Sequence, residues 1–165
     1  MMMGKIWGRR PPDVANLFNP AFCATLLNRV ASGYHGDIER GLAYPLSFVA
    51  LPLILHPTSA DLLPPTSRTK FHNWLLENPE VLFGFSERAR EMAPIVREAI
   101  SFGLRYDILR LDAEKALIPM TSRELKQWEK MPYNKNFSKN AQILGKLLTQ
   151  VKDVPTTFAL FGVRP

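Results

Sequence analysis

Pro45-Leu46-Ser47-Phe48-Val49-Ala50-Leu51-Pro52-Leu53-Ile54-Leu55-His56 is the stretch from which the fold is read. Proline at its head suits the first turn of a helix, and the residues behind it are apolar nearly all round. A helix with no polar face belongs at the centre of a domain. Interior Pro52 deletes one backbone hydrogen bond and crowds the preceding turn, so a kink is expected there. The run is also too short, and too broken by that proline, for the roughly 18 uninterrupted apolar residues that a membrane span requires.

Outward from this centre, fourteen prolines cut the chain into short modules. Each fixes its own backbone and pushes the residue before it out of the helical region. On the N-terminal side, Pro11-Pro12-Asp13 opens a first apolar pattern through Val14, Ala15, Leu17 and Phe18, and Asn19-Pro20 restarts it. Phe22, Cys23, Leu26, Leu27 and Val30 then recur at helical spacing, and the helix is expected to stop at Ser32-Gly33 with glycine as its C-cap. Gly36 to Gly41 reads as a polar loop.

On the C-terminal side, Thr58 or Ser59 caps a short helix that Pro64-Pro65 ends. Thr66 or Ser67 opens another, with Phe71, Trp74 and Leu75 on one face. Ser86 is the expected cap of the longest helix, whose stripe runs through Ala89, Met92, Ala93, Val96, Ala99, Ile100 and Gly103, with a kink or second start at Pro94. Directly after it, Ile108 to Leu111 and Ala116 to Pro119 flank the polar Asp112 to Lys115, a spacing that predicts a β-hairpin. Leu144, Leu147, Leu148 and Val151 mark a last helical face after Ser138 as its N-cap. Val154 to Pro165 is apolar, and both a helical turn and a strand fit it.

The expected architecture is mainly α with a small β-hairpin, in one compact domain over residues 1–165, with residues 1–10 as a flexible or partner-bound arm. The order of helices followed by a hairpin resembles a winged helix. A length of 165 residues suits one core, and neither a repeat nor a Gly/Ser linker divides it.

Function classes are narrowed by what the residues supply. A lone cysteine, Cys23, sits on an apolar helical face and reads as a small buried hydrophobe in a reducing compartment. His35, His56 and His72 fall in three modules without Cys, Asp or Glu partners at ligand spacing, so no metal and no cofactor is expected. His56, before Pro57, is placed at a helix C-terminus, where the dipole favours a cation. Asp37 and Glu39 lie in a polar loop, and charged loop residues are ordinarily just solvated. No G-x-S-x-G elbow and no glycine-rich phosphate loop is present. The N-terminus lacks a secretory signal, which points to the cytoplasm.

A net charge of +6 attracts polyanions or an acidic protein surface at low salt. The densest basic stretch, Arg123 to Lys152, reads first as solvated surface. A winged-helix transcriptional regulator is the alternative. Its reading helix, Thr69 to Leu76, is only modestly basic, and its wing carries Asp112 and Glu114 against Lys115, which repels phosphate.

Several segments carry a family resemblance: Arg10-Pro11-Pro12-Asp13-Val14-Ala15-Asn16-Leu17-Phe18-Asn19-Pro20-Ala21-Phe22, Pro45 to His56, Trp74-Leu75 with Pro79-Glu80-Val81, Gly84-Phe85-Ser86-Glu87-Arg88-Ala89, and Phe161-Gly162-Val163-Arg164-Pro165. Together they resemble the middle component of bacterial three-component ABC systems, nearest to Lamassu-type defence complexes. The resemblance implies two larger operon partners, an SMC- or Rad50-like ABC ATPase and an effector, often a nuclease, acting against phage or plasmids. It implies a non-enzymatic adaptor between them, with DNA met through the complex and no membrane. Aromatic and arginine anchors dominate such interfaces. The candidates are Trp7, Arg9, Arg10, Phe22, Trp128, Phe161 and Arg164. Of these, Phe22 and Phe161 also read as core, and Trp7 and Trp128 as surface.

Overall fold

The structure, a computed structural model, describes residues 18–151 and 153–164. The expected module over Asp13 to Leu17 and the arm over residues 1–10 lie outside them. The described chain is mainly helical with a small antiparallel sheet. Its elements are α1 (Pro20–Ile38), β1 (Leu42–Ala43), a 3-10 turn (Tyr44–Leu46), α2 (Ser47–Ile54), α3 (Pro57–Leu62), α4 (Phe71–Glu77), a second 3-10 turn (Pro79–Leu82), α5 (Phe85–Arg105), β2 (Leu109–Leu111), β3 (Ala116–Pro119), α6 (Arg123–Lys130), α7 (Pro132–Leu148) and α8 (Val154–Leu160).

α2 is the central helix: every residue from Val49 to Ile54 is buried, Pro52 included, and the helix ends two residues beyond that proline. Around it run α1, α5 and α7. The largest contact between elements is α1 against α7. The two backbones touch, because a Cβ at Gly33 would stand 2.2 Å from the Gln142 carbonyl oxygen and one at Gly145 2.1 Å from that of Val30.

That contact explains the first departure from expectation. α1 begins as read, with Asn19 Oδ1 accepting from Ala21 N–H at 2.8 Å, but it does not stop at Ser32-Gly33. It runs on through the supposed loop to Ile38. Gly33 is a site of close helix packing, and bare sequence does not separate a packing glycine from a capping one.

Other helix starts also move. α4 opens at Phe71, not at Thr66 or Ser67, and its first N–H donates to Gln150 Oε1 at 2.8 Å from the far end of α7. The cap comes from tertiary packing. α5 begins at Phe85 behind Gly84, which is in the left-handed region at φ +65, and it runs unbroken through Pro94. α7 starts at Pro132, which leaves Ser138 buried in its interior instead of at its N-cap. α6, capped by Ser122 Oγ accepting from Leu125 N–H at 3.1 Å, has no counterpart in the sequence reading.

The hairpin forms where the spacing placed it, with Arg110 opposite Ile118. Asp112 Oδ1 accepts from the N–H groups of Glu114 and Ala116 at 2.8 and 2.9 Å and closes the turn. β1 is an addition: Leu42 and Ala43 pair with Leu117 and Ala116, giving the sheet order β1-β3-β2. Two residues carry no alternation to detect. Asn28, fully buried in α1, ties the sheet to the helices by donating from Nδ2 to the carbonyls of Ile108 and Met120 at 2.7 and 2.8 Å.

His56 corrects a sequence expectation. It stands at the start of α3, where its Nδ1 accepts from Ser59 N–H at 3.4 Å and meets Ser59 Oγ at 3.0 Å. An acceptor there must be neutral, and burial, helped by the Arg88 charge, lowers its pKa below the ordinary 6.5. The unfolded chain therefore takes up this proton at a higher pH than the folded one. Stability from this group is complete above 6.5 and falls as pH drops through that value toward the lower folded pKa. Melting temperatures at successive pH values should show the decline, and His56→Asp, a capping residue that stays ionised in that window, should flatten it.

Candidate partner-binding groove

The C-terminal segment builds the wall of a groove. Asp153 caps α8 by accepting from Thr156 N–H at 2.7 Å. The helix ends in a Schellman turn: Gly162, at φ +67, donates to the Ala159 carbonyl at 3.2 Å and Val163 to that of Phe158 at 2.9 Å. Glycine is favoured at that left-handed position because it has no Cβ. The turn sets Val163 beside Phe158 and leaves Arg164 exposed.

Phe161 anchors this arrangement from beneath. It is 3 % exposed, with its ring 4.9 Å from Phe85 and 5.8 Å from Phe71, centroid to centroid. Those contacts hold α8 on the ends of α4 and α5. The segment encloses, with α5 and the start of α2, a groove of about 500 Å³. Ala89, Ala93, Phe48, Phe158 and Val163 give it an apolar floor, and Arg90, Arg97 and Arg164 line it as well. The Arg97 guanidinium lies 5.9 Å from the centre of the Phe48 ring, a cation–π arrangement. All three arginines are exposed, and among the described residues none has an ion-pair partner.

A second surface lies where α1 meets α6 and α7. Phe22 packs edge-on to Phe137 at 5.2 Å and tilted to Trp128 at 5.9 Å, and Tyr133 continues the row at 5.9 Å from Phe137. Phe22 and Trp128 are half-buried, whereas Tyr133 is 71 % and Met131 56 % exposed. Beneath this face Arg29 pairs with Glu129, which also accepts from Ser138 Oγ at 3.1 Å and Gln142 Nε2 at 3.2 Å.

The candidate residues therefore divide. Phe22 and Trp128 meet on one face, Phe161 and Arg164 support and rim the groove, and Trp7, Arg9 and Arg10 lie outside the described residues. Sequence reading missed Arg90 and Arg97. Their signal is present, since Ser86, Ala89, Ala93, Arg90 and Arg97 share a helical side, but the stripe takes in Ala89 and Ala93 without the arginines beside them.

A third cleft, about 1000 Å³ beside the hairpin, has mixed charge from Glu39, Arg40, Asp112, Glu114 and Lys115. Cys23 is buried, and among the described residues no three His, Cys, Asp or Glu side chains converge to hold a metal. No described helix is long and apolar enough to cross a membrane.

A family of ABC-three component (ABC-3C) system Middle Component 3 matches residues 7–165. The chain belongs to that family. The match takes in α1 through α8, so both the groove and the aromatic face are parts of the Middle Component 3 domain. Among curated proteins and solved structures, none matches the chain.

Proposed function

We propose that this middle component is a non-catalytic adaptor. It holds an SMC/Rad50-like ABC ATPase and an effector, most simply a nuclease, in one cytoplasmic assembly of the Lamassu type, and activity against phage or plasmid follows when the ATPase engages DNA. The observation that carries the reading is that two separate surfaces share no residue, the arginine-lined groove and the aromatic face at Trp128 and Tyr133. One surface serves each partner. Trp7, Arg9 and Arg10 extend the contacts from the N-terminal arm, Phe22 and Trp128 supply the aromatic face, and Phe161 and Arg164 belong with the groove.

Co-expression with the two neighbouring operon products should yield a stoichiometric three-protein complex. Tyr133→Ala should weaken capture of one partner by about tenfold or more, as loss of an exposed aromatic anchor does, and leave the other in place. A wild-type chain that purifies alone in every such test sinks the proposal.

The sheet order β1-β3-β2, with α5 leading directly into the hairpin, supports a winged-helix-like core. As the sequence order predicts, α5 directly precedes the wing, while the Thr69 to Leu76 segment expected to read DNA falls at α4, further back in the chain. The turn between β2 and β3 carries Asp112 and Glu114 against Lys115, so its charge disfavours phosphate. The regulator alternative would require salt-sensitive, sequence-selective DNA binding by the chain alone, which a gel-shift titration measures.

A further inference from the structure

We infer that the groove between α2, α5 and α8 binds an acidic peptide segment of a partner, one that inserts an aromatic or aliphatic side chain between flanking carboxylates. The inference rests on the adaptor reading and names the chemistry of one of its contacts. Phe48, Ala93 and Val163 are half-buried and leave apolar surface on the floor, which favours an apolar occupant because leaving it wet forgoes burial of that surface. The lining arginines Arg90, Arg97 and Arg164 demand negative charge beside it, since no carboxylate among the described residues pairs with them.

Size and charge select the occupant. About 500 Å³ is room for a few side chains of a peptide and not for a folded domain. A second copy of the chain is disfavoured by its own net charge of +6. Nucleic acid would place phosphates on the arginines but leave the apolar floor without a match. Arg90 and Arg97 are seven residues apart on α5, about 10 Å along its axis. Two carboxylates meeting both would be about two helical turns apart in a docked helix, or three residues apart in an extended segment. Ser86 lies near the N-terminus of the 21-residue α5, whose dipole adds to the pull on an anion.

The test uses the full chain, fluorescently labelled, against short overlapping peptides covering the ATPase and effector encoded beside it, followed by anisotropy titration of those retained. The expected result is that the retained peptides are acidic and carry Phe, Tyr, Trp, Leu or Ile. Their affinity should fall as salt rises, and by at least about tenfold in Arg90→Glu/Arg97→Glu. Where that double variant melts lower than wild type, Arg164→Glu takes its place, being at an exposed position. Retention of only neutral or basic peptides, of none, or of acidic peptides indifferent to both variants overturns the inference, as does displacement by a single-stranded oligonucleotide that binds the groove more tightly. Wild-type chain is pulled down with the intact partners in parallel. If that complex forms and the peptide result fails, the groove chemistry is wrong and the adaptor stands; if the complex itself fails, the adaptor reading is lost.

Discussion

Gly145→Ala should destabilise the chain by about 3 kcal/mol or more, which for a domain of this size lowers Tm by roughly 10 °C. The added methyl would stand 2.1 Å from the Val30 carbonyl oxygen and 2.9 Å from the Tyr34 nitrogen. Both are backbone atoms inside α1, held by that helix's own hydrogen bonds, so neither can swing away as a side chain would. The helices must separate, and every buried contact between α1 and α7 loosens with them. Gly33→Ala meets the Gln142 carbonyl oxygen at 2.2 Å and should behave alike. Gly36 supplies the control. It is exposed in the same helix with nothing within 4 Å of a Cβ, so Gly36→Ala should raise stability by about 0.5–1 kcal/mol through helix propensity alone. Thermal unfolding followed by circular dichroism separates these outcomes. Equal melting temperatures for Gly145→Ala and wild type would refute the close crossing.

Glu129→Ala should cost about 3–5 kcal/mol, because it strands a buried guanidinium. Arg29 is 8 % exposed, and its Nε and Nη2 already share Asn28 Oδ1 at 3.0 and 2.6 Å, so Glu129 is the charge that balances it. The reverse change is milder. In Arg29→Met the carboxylate keeps Ser138 and Gln142 as donors, and its side chain is 26 % exposed to water, so a loss of about 1–2 kcal/mol is expected. The double replacement Arg29→Met/Glu129→Leu should be more stable than Glu129→Ala alone, since it removes both charges together. Chemical denaturation of wild type, Glu129→Ala, Arg29→Met and Arg29→Met/Glu129→Ala gives the coupling directly. Additive effects would show that the pair does not act as a unit.

Much of the fold was legible in local pattern. The apolar run from Pro45 to His56 is central because no polar face exists to meet water, and it lies buried as α2. The hairpin was legible because two short apolar runs flank a polar segment of loop length, and the amphipathic stripe through Gly103 marked α5, although the helix starts at Phe85 instead of behind Ser86 and runs unbroken through Pro94. The groove was legible only in part. Arg164 and Phe161 were singled out from the C-terminal motif, but Arg90 and Arg97 become groove residues only when α8 folds back across α5. Trp128 was read as surface because its neighbours in sequence are polar, yet it is half-buried against Phe22, more than a hundred residues earlier.

Sequence alone determined the helical class, the central segment, the hairpin and the family, because periodicity, proline spacing and extended similarity are written in consecutive residues. Tertiary structure alone decided that α1 continues past Gly33, that α4 starts where Gln150 caps it, that His56 is a neutral acceptor, and that Arg164 joins Arg90 and Arg97 at one groove. Each of these depends on a group brought into contact from another element, and such contacts leave no trace in the spacing of neighbouring residues.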